Sequence, residues 1–126
     1  MVIDTSVIVA ILLDEPEAAG FAAAIEQDSL RLLSAASLLE ASIVIETRKG
    51  DEGARDLDLL IYRAGIQIVP VDAEQAEVAR LAWRRFGKGR HPASLNYGDC
   101  FAYALAKTSG ARLLFKGADF SQTDLA

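Results

Sequence analysis

The chain of 126 residues has one cysteine, one histidine and three prolines. A lone thiol, Cys100, cannot form an internal disulfide, and as the residue after Asp99 it reads as a small buried hydrophobe. A lone imidazole, His91, excludes any mechanism that needs two histidines; in its Gly/Pro loop beside Arg90 it reads as a surface residue. No apolar run reaches the roughly 18 residues of a membrane span. The first strand begins at Met1, which leaves no room for the basic region and apolar core of a signal peptide. These absences together predict a soluble cytoplasmic protein with no membrane segment. Walker loops, dinucleotide fingerprints, zinc-protease motifs, repeats and low-complexity linkers are missing as well.

What is present suits a single domain over 1–126, long enough to bury about two thirds of its unfolded surface. Hydrophobic residues make up 52% and charged residues 25%, the balance of an ordinary globular protein. The net charge of −5 argues against coating nucleic acid by bulk electrostatics. Charge is unevenly spread, however. Val78 to Gly98 contains no acid but holds Arg80, Arg84, Arg85, Lys88 and Arg90.

The opening stretch, Met1 to Leu13, carries one carboxylate, Asp4, among apolar and hydroxylic residues. Buried unpaired, it would cost several kcal/mol, so a metal ion or a cation is expected to compensate it. Too few apolar residues precede Asp4 for a helix, but there are enough for a buried strand, which puts Asp4 at the strand's carboxyl end. Ligands of open α/β sheets gather there.

Along the chain, Ser6 can cap a short apolar helix, and Pro16 suits the first turn of another over 17–27. A short strand is predicted at Arg31 to Ser34. Ser37, with Glu40 as its capping-box partner, then opens a helix to Lys49 that Gly50 ends. Asp51 to Ala64 repeats the helical pattern, and Ile66 to Val71 reads as a strand whose Pro70 marks an edge. Asp72 and Gln75 form a capping box for a helix to Phe86. Asn96 caps one from Tyr97 to Ser109, and Arg112 to Phe115 is the last strand. Strands separated by helices imply an α/β class: a parallel sheet of about four to five strands with helices on both faces.

Helical spacing sorts the acids. Glu40 has Ile43 and Val44 at i+3 and i+4 and is expected to face inward, whereas Glu46 shares its face with Ser42, Lys49 and Gly50 and faces out. Asp99 has Ala102, Tyr103 and Ala106 along its face, and the helix N-terminus favours its ionised form. Asp119 follows the last strand. Each has a plainer explanation: Glu40 as partner of Ser37, Asp99 as a first-turn acid under Asn96, Asp119 as a turn former. Together, four acids at one end of one sheet repel each other unless a divalent cation sits among them. All-oxygen ligands suit Mg²⁺ or Mn²⁺, and the chemistry that fits is hydrolysis of a phosphodiester.

Asp4-Thr5-Ser6, the run from Ser34 to Glu40, the run from Asn96 to Ala106 and the run from Leu113 to Phe120 together resemble a PIN-domain ribonuclease of the VapC toxin type, over essentially the whole chain. The resemblance implies a Mg²⁺- or Mn²⁺-dependent endoribonuclease acting on structured RNA such as tRNA or rRNA, a homodimer, and inhibition by a VapB-like antitoxin. Its acidic cluster falls on Asp4, Glu40, Asp99 and Asp119, the metal set being Asp4, Asp99 and Asp119. Thr5 and Ser6 match the hydroxyls after the first aspartate, and Asn96 supports Asp99. Ala118 departs from the family, which often has a polar residue there. Relatives also usually run a few residues past the Thr-Asp that matches Thr123 and Asp124.

Two rivals stand beside this reading. A response-regulator receiver also gathers acids and a lysine at its strand ends, and Lys116 fits that, but Asp4 lacks the neighbouring acid a receiver needs. A catalytically silent RNA- or protein-binding module is the other. For the RNA path, Arg84, Arg85, Lys88 and Arg90 are the phosphate-contact candidates, with Lys116 as a lesser one, because four acids repel RNA unless positive charge lies close by. A mean hydropathy of +0.21 makes an apolar helical dimer interface plausible, with the first two helices as the expected contributors.

Overall fold

Val2 and Ile3 are wholly buried and form the strand around which the fold is laid. In this computed structural model, which describes residues 1–125, that strand is β1 (Val2–Ile3). It is followed by α1 (Thr5–Leu12), α2 (Ala18–Gln27), β2 (Leu32–Ser34) and α3 (Ala35–Ala64). Then come β3 (Gln67–Val69), α4 (Ala73–Phe86), α5 (Tyr97–Ser109) and β4 (Leu113–Leu114). The sheet order is β3-β2-β1-β4, and every neighbouring pair is parallel. Pro70 directly follows β3, the edge strand. No helix among the described residues is long and apolar enough to cross a membrane.

Alternation along β1 divides the core. Ile3 packs with Val7 and Ile8 of α1, Leu33 of β2 and Ala41 and Leu57 of α3. Val2 packs with Leu32 and with Leu105 and Ala106 of α5, so helices cover both faces. On the α5 side, Ala79, Ala82 and Phe86 of α4 lie against Ala102 and Tyr103 of α5. The chain lays β2 and β3 to one side of β1 and returns to place β4 on the other. Its direction of winding therefore reverses between β1 and β4, whose carboxyl ends border a crevice of the kind where ligands of α/β sheets bind.

Several helix boundaries differ from the sequence expectation. Asp4, and not Ser6, is the N-cap of α1, its side chain accepting from the Ser6 N–H. Ser34, and not Ser37, caps α3, because its strand conformation leaves its hydroxyl free to accept from the Ala36 N–H. Ser37 is buried, and its Oγ has no partner among the described residues. The two helices expected on either side of Gly50 are one element broken at that glycine, where φ is +58° and ψ −144°. Asp72 does cap α4 through the Gln75 N–H, but the Gln75 side chain donates to the Pro70 carbonyl instead of returning to the cap.

The exposed apolar surface bears on the expected dimer contact. Val7 and Ile8 of α1 and Ile25 of α2 are consumed by the core, and neither helix carries an exposed large hydrophobic residue. The exposed ones on helices are Leu39, Ile43, Leu59 and Tyr62 of α3, Leu81 and Trp83 of α4 and Tyr97 of α5.

Candidate active site

Asp4 ends β1 and is only 4% exposed. Its Oδ2 accepts from the Ser6 N–H at 3.1 Å and from Ser6 Oγ at 2.5 Å, and Ser6 Oγ in turn accepts from the Lys116 N–H at 2.9 Å. The first strand and the segment after β4 are thereby joined through one hydroxyl. Thr5 plays a different part: its Oγ1 donates to the Ser37 carbonyl and ties α1 to α3. Burial pushes the Asp4 carboxyl above its usual range, against the Ser6 donors, and the nearby charge of Glu40 adds to the rise.

Asp99, 9% exposed, sits in the first turn of α5. It forms a reciprocal capping box with Asn96: Asn96 Oδ1 accepts from the Asp99 N–H at 2.9 Å, and Asp99 Oδ2 accepts from the Asn96 N–H at 3.0 Å. The plainer explanation for Asp99 is therefore realised, and it does not displace the other. Burial raises the Asp99 pKa to about 7 despite the Asn96 N–H, and the charges of Asp4 and Asp119 push the same way. Asp119 lies in the exposed loop after β4, near enough to Asp99 for its charge to add to that rise.

Glu40 reaches the same crevice by a route the spacing argument misjudged. Ile43 on its face is 59% exposed, while Ala41 and Ile45 hold the core. That face looks onto a groove beside α5, which Glu40 shares with Ile43, Tyr97 and Gly98. The Glu40 carboxylate rests on Gly98: a Cβ built there would meet its Cδ and Oε1 at 2.7 Å. Since Ser34 caps α3, the capping explanation for Glu40 falls. Glu46 is exposed, as expected.

The four carboxylates are thus linked pairwise, Glu40 to Asp4, Asp4 to Asp99 and Asp99 to Asp119. Among the described residues none has a basic side chain in salt-bridge range, and no three acidic, histidine or cysteine side chains form a ready-made metal cage. A set of hard oxygen donors with uncompensated charge nonetheless fits Mg²⁺ or Mn²⁺ in chemical character.

The basic candidates separate. Arg84, Arg85, Lys88 and Arg90 are exposed; Arg85 lies over the Phe86 ring at 4.7 Å and Arg90 over Trp83 at 4.2 Å. Lys116 differs from these: its ammonium is held by Glu15 at 2.9 Å and Glu17 at 3.4 Å, partners that a phosphate would have to compete with. His91 is half-buried, with its ring edge on Phe86 and its Nδ1 accepting from the Ala93 N–H. Cys100 is buried, as expected.

Residues 1–125 match the family model for the PIN domain. The chain belongs to the PIN-domain family. It is 60% identical to VapC ribonuclease Mb0640 of Mycobacterium bovis and to ribonuclease VapC30 of Mycobacterium tuberculosis, over all of this chain and 96% of each relative. It is also 60% identical to a ribonuclease VapC of Mycolicibacterium smegmatis, of which it covers 98%. Relatives of this closeness make this PIN domain a VapC-type toxin endoribonuclease, and the receiver and silent-module alternatives fall. The fold is shared with the crystal structure of Mycobacterium tuberculosis VapC20, described as a sarcin–ricin-loop-cleaving toxin. There the TM-score is 0.80 at 17% identity, over 99% of this chain and 95% of the other. PIN-domain ribonucleases of this type generally depend on divalent metal.

Proposed function

We propose that this PIN domain hydrolyses phosphodiester bonds of structured RNA, tRNA or rRNA, with Mg²⁺ or Mn²⁺ held by Asp4, Asp99 and Asp119 and with Glu40 completing the catalytic set. The observation that carries this reading is the chain of acids at the β1/β4 crevice, buried at Asp4 and Asp99 and matched by no basic side chain among the described residues. When bound, the cation would neutralise charge on the phosphate and on the leaving oxygen and make a water acidic enough to attack.

The protein's own residues supply position. Ser6 engages Asp4 through Oδ2 and Asn96 engages Asp99 through Oδ2, so each carboxylate has one oxygen fixed and the other left for chemistry. Glu40, outside the metal set, is held on Gly98 as the group that takes the proton of the attacking water. Arg84, Arg85, Lys88 and Arg90 bring the phosphate backbone toward acids that would otherwise repel it. A VapB-like antitoxin is the inhibitor this assignment calls for, and the cytoplasm is the compartment. Two copies are expected to associate, with Leu39 and Ile43 of α3 as exposed apolar side chains beside Glu40.

The test is incubation of the purified chain with total RNA in Mg²⁺, Mn²⁺ or EDTA, with Asp99→Asn alongside. Discrete fragments that need both the cation and Asp99 support the reading. Cleavage that persists in EDTA would overturn it.

A further inference from the structure

Between α4 and α5, beside the acids, runs a groove of about 640 Å³, within the size range of sites that bind small organic ligands. Small residues such as Ala79 on α4 leave it depth. One wall carries Trp83 and Arg80, the other Tyr97 and Phe101, and Lys88 stands at the loop end. No acid lines it. Trp83 is 43% exposed and Tyr97 82% exposed, although Tyr97 is the first residue of the helix that carries Asp99. Its ring meets that of Phe101 edge to face, at 4.9 Å between centroids.

We propose that this groove receives an unstacked base of the RNA substrate, with Tyr97 and Trp83 as stacking surfaces and Arg80 and Lys88 as contacts to the adjoining phosphates. The proposal rests on the ribonuclease reading above and adds a base-binding subsite to it. Three observations carry it. Trp83 and Tyr97 are exposed on two facing helices, Trp83 with the Arg90 guanidinium 4.2 Å from its ring centre, an aromatic and cationic pairing of the kind onto which single-stranded RNA splays its bases. Lys88 and Arg80, the latter 3.7 Å from Glu77 at the exposed rim, give the groove positive charge that suits a polyanion, in contrast to the chain's overall net charge of −5. The groove is also continuous with the acids. Asn96, which pairs with Asp99, lines it, and Tyr97 and Phe101 belong at the same time to the neighbouring groove that holds Glu40 and Gly98. A strand crossing the acids therefore passes Tyr97 as well.

Trp83 is the only tryptophan, so its emission reports on the groove directly. The wild-type chain, held in EDTA, is titrated with a short single-stranded RNA and with an abasic ribose-phosphate strand of equal length. The RNA should quench Trp83 and bind about 5- to 150-fold more tightly than the abasic strand, the range expected for stacking one base. Tyr97→Ala should erase that preference and leave the salt slope unchanged, because a stacking contact releases no counterions; Tyr97→Phe should keep it. Equal binding of the two strands would overturn the proposal. So would a Tyr97→Ala protein that keeps the base preference but changes its mass in light scattering, which would make the groove a contact between copies. Cleavage of total RNA in Mg²⁺, run in parallel, separates the two readings. Cleavage without base-dependent quenching refutes the groove alone, and absence of cleavage refutes the ribonuclease reading on which it rests.

Discussion

The carboxylate of Glu40 lies on the backbone of Gly98, so close that a single methyl on that glycine would meet Cδ and Oε1 at 2.7 Å. Gly98→Ala should therefore push Glu40 out of the crevice and lower cleavage at least tenfold. Alanine is the better helix former by up to about 1 kcal/mol, so the melting temperature should hold or rise. Shortening the acid in a Gly98→Ala/Glu40→Asp double variant should restore part of the lost rate. An alanine variant as active as the wild type would show that Glu40 can move freely without consequence.

Asp99 sets a pH dependence of stability. Its folded pKa of about 7 lies above the roughly 3.9 of an unfolded aspartate, so between those values the folded state holds the proton more tightly. Its contribution is fully present below the unfolded value and lost as pH rises through about 7. Asp4, also raised, acts in the same direction. Metal-free protein should melt at a higher temperature near pH 5 than near pH 8, and saturating Mg²⁺ should flatten the difference. Asp99→Asn and Asp4→Asn should each stabilise the metal-free chain at pH 8 while abolishing cleavage. Thermal melts that move the opposite way with pH would remove the mutual-repulsion account of this site.

Ser6→Ala removes the hydroxyl between Asp4 and the Lys116 N–H. A buried charged acceptor losing one donor costs about 1–3 kcal/mol, and cleavage should fall more than tenfold because Asp4 and the Asp119 loop lose their common anchor. Ser6→Thr, which restores a hydroxyl, should recover activity in part. Calorimetry with a cleavage assay on both variants decides the point.

Salt dependence separates the basic residues. Replacing Arg84, Arg85, Lys88 or Arg90 by alanine should each reduce the slope of log affinity against log salt by about 0.7 to 0.9 if that residue meets a phosphate. Lys116→Ala should leave the slope unchanged, since its ammonium is occupied by Glu15 and Glu17; its effect should appear as a modest loss of stability. A slope that falls for Lys116→Ala would mean RNA strips the lysine from its acids.

What could be read from the sequence was local. An acid in an apolar run placed Asp4 at a strand end, and the Asn96 cap with Ala102, Tyr103 and Ala106 placed Asp99 inward, because burial and capping are properties of adjacent residues. Glu40 comes near the other acids by a route the spacing did not suggest: Ile43 is apolar, yet it lies at the surface beside α5 and not in the core. The bond from Lys116 to Ser6 spans 110 positions, and the contact of Glu40 with Gly98 depends on how α3 meets α5. The aromatic groove exists only because α4 packs on α5. None of these leaves a periodic signal in the chain. Charge alone suggested Lys116 as an RNA contact, and only the fold reveals the two glutamates that claim it.

The position of β1 also governs when activity can first exist. Its neighbours in the sheet are β2 and β4, and β4 pairs Val2 with Leu113; the hydroxyl that steadies Asp4 waits for Lys116. Contacts of such long sequence separation form late. During synthesis, a nascent chain that has already emerged past α4 still lacks the far wall of its own crevice. The proposed site closes only once nearly the whole polypeptide has left the ribosome, so a chain interrupted before Lys116 is expected to leave the RNA around it uncut.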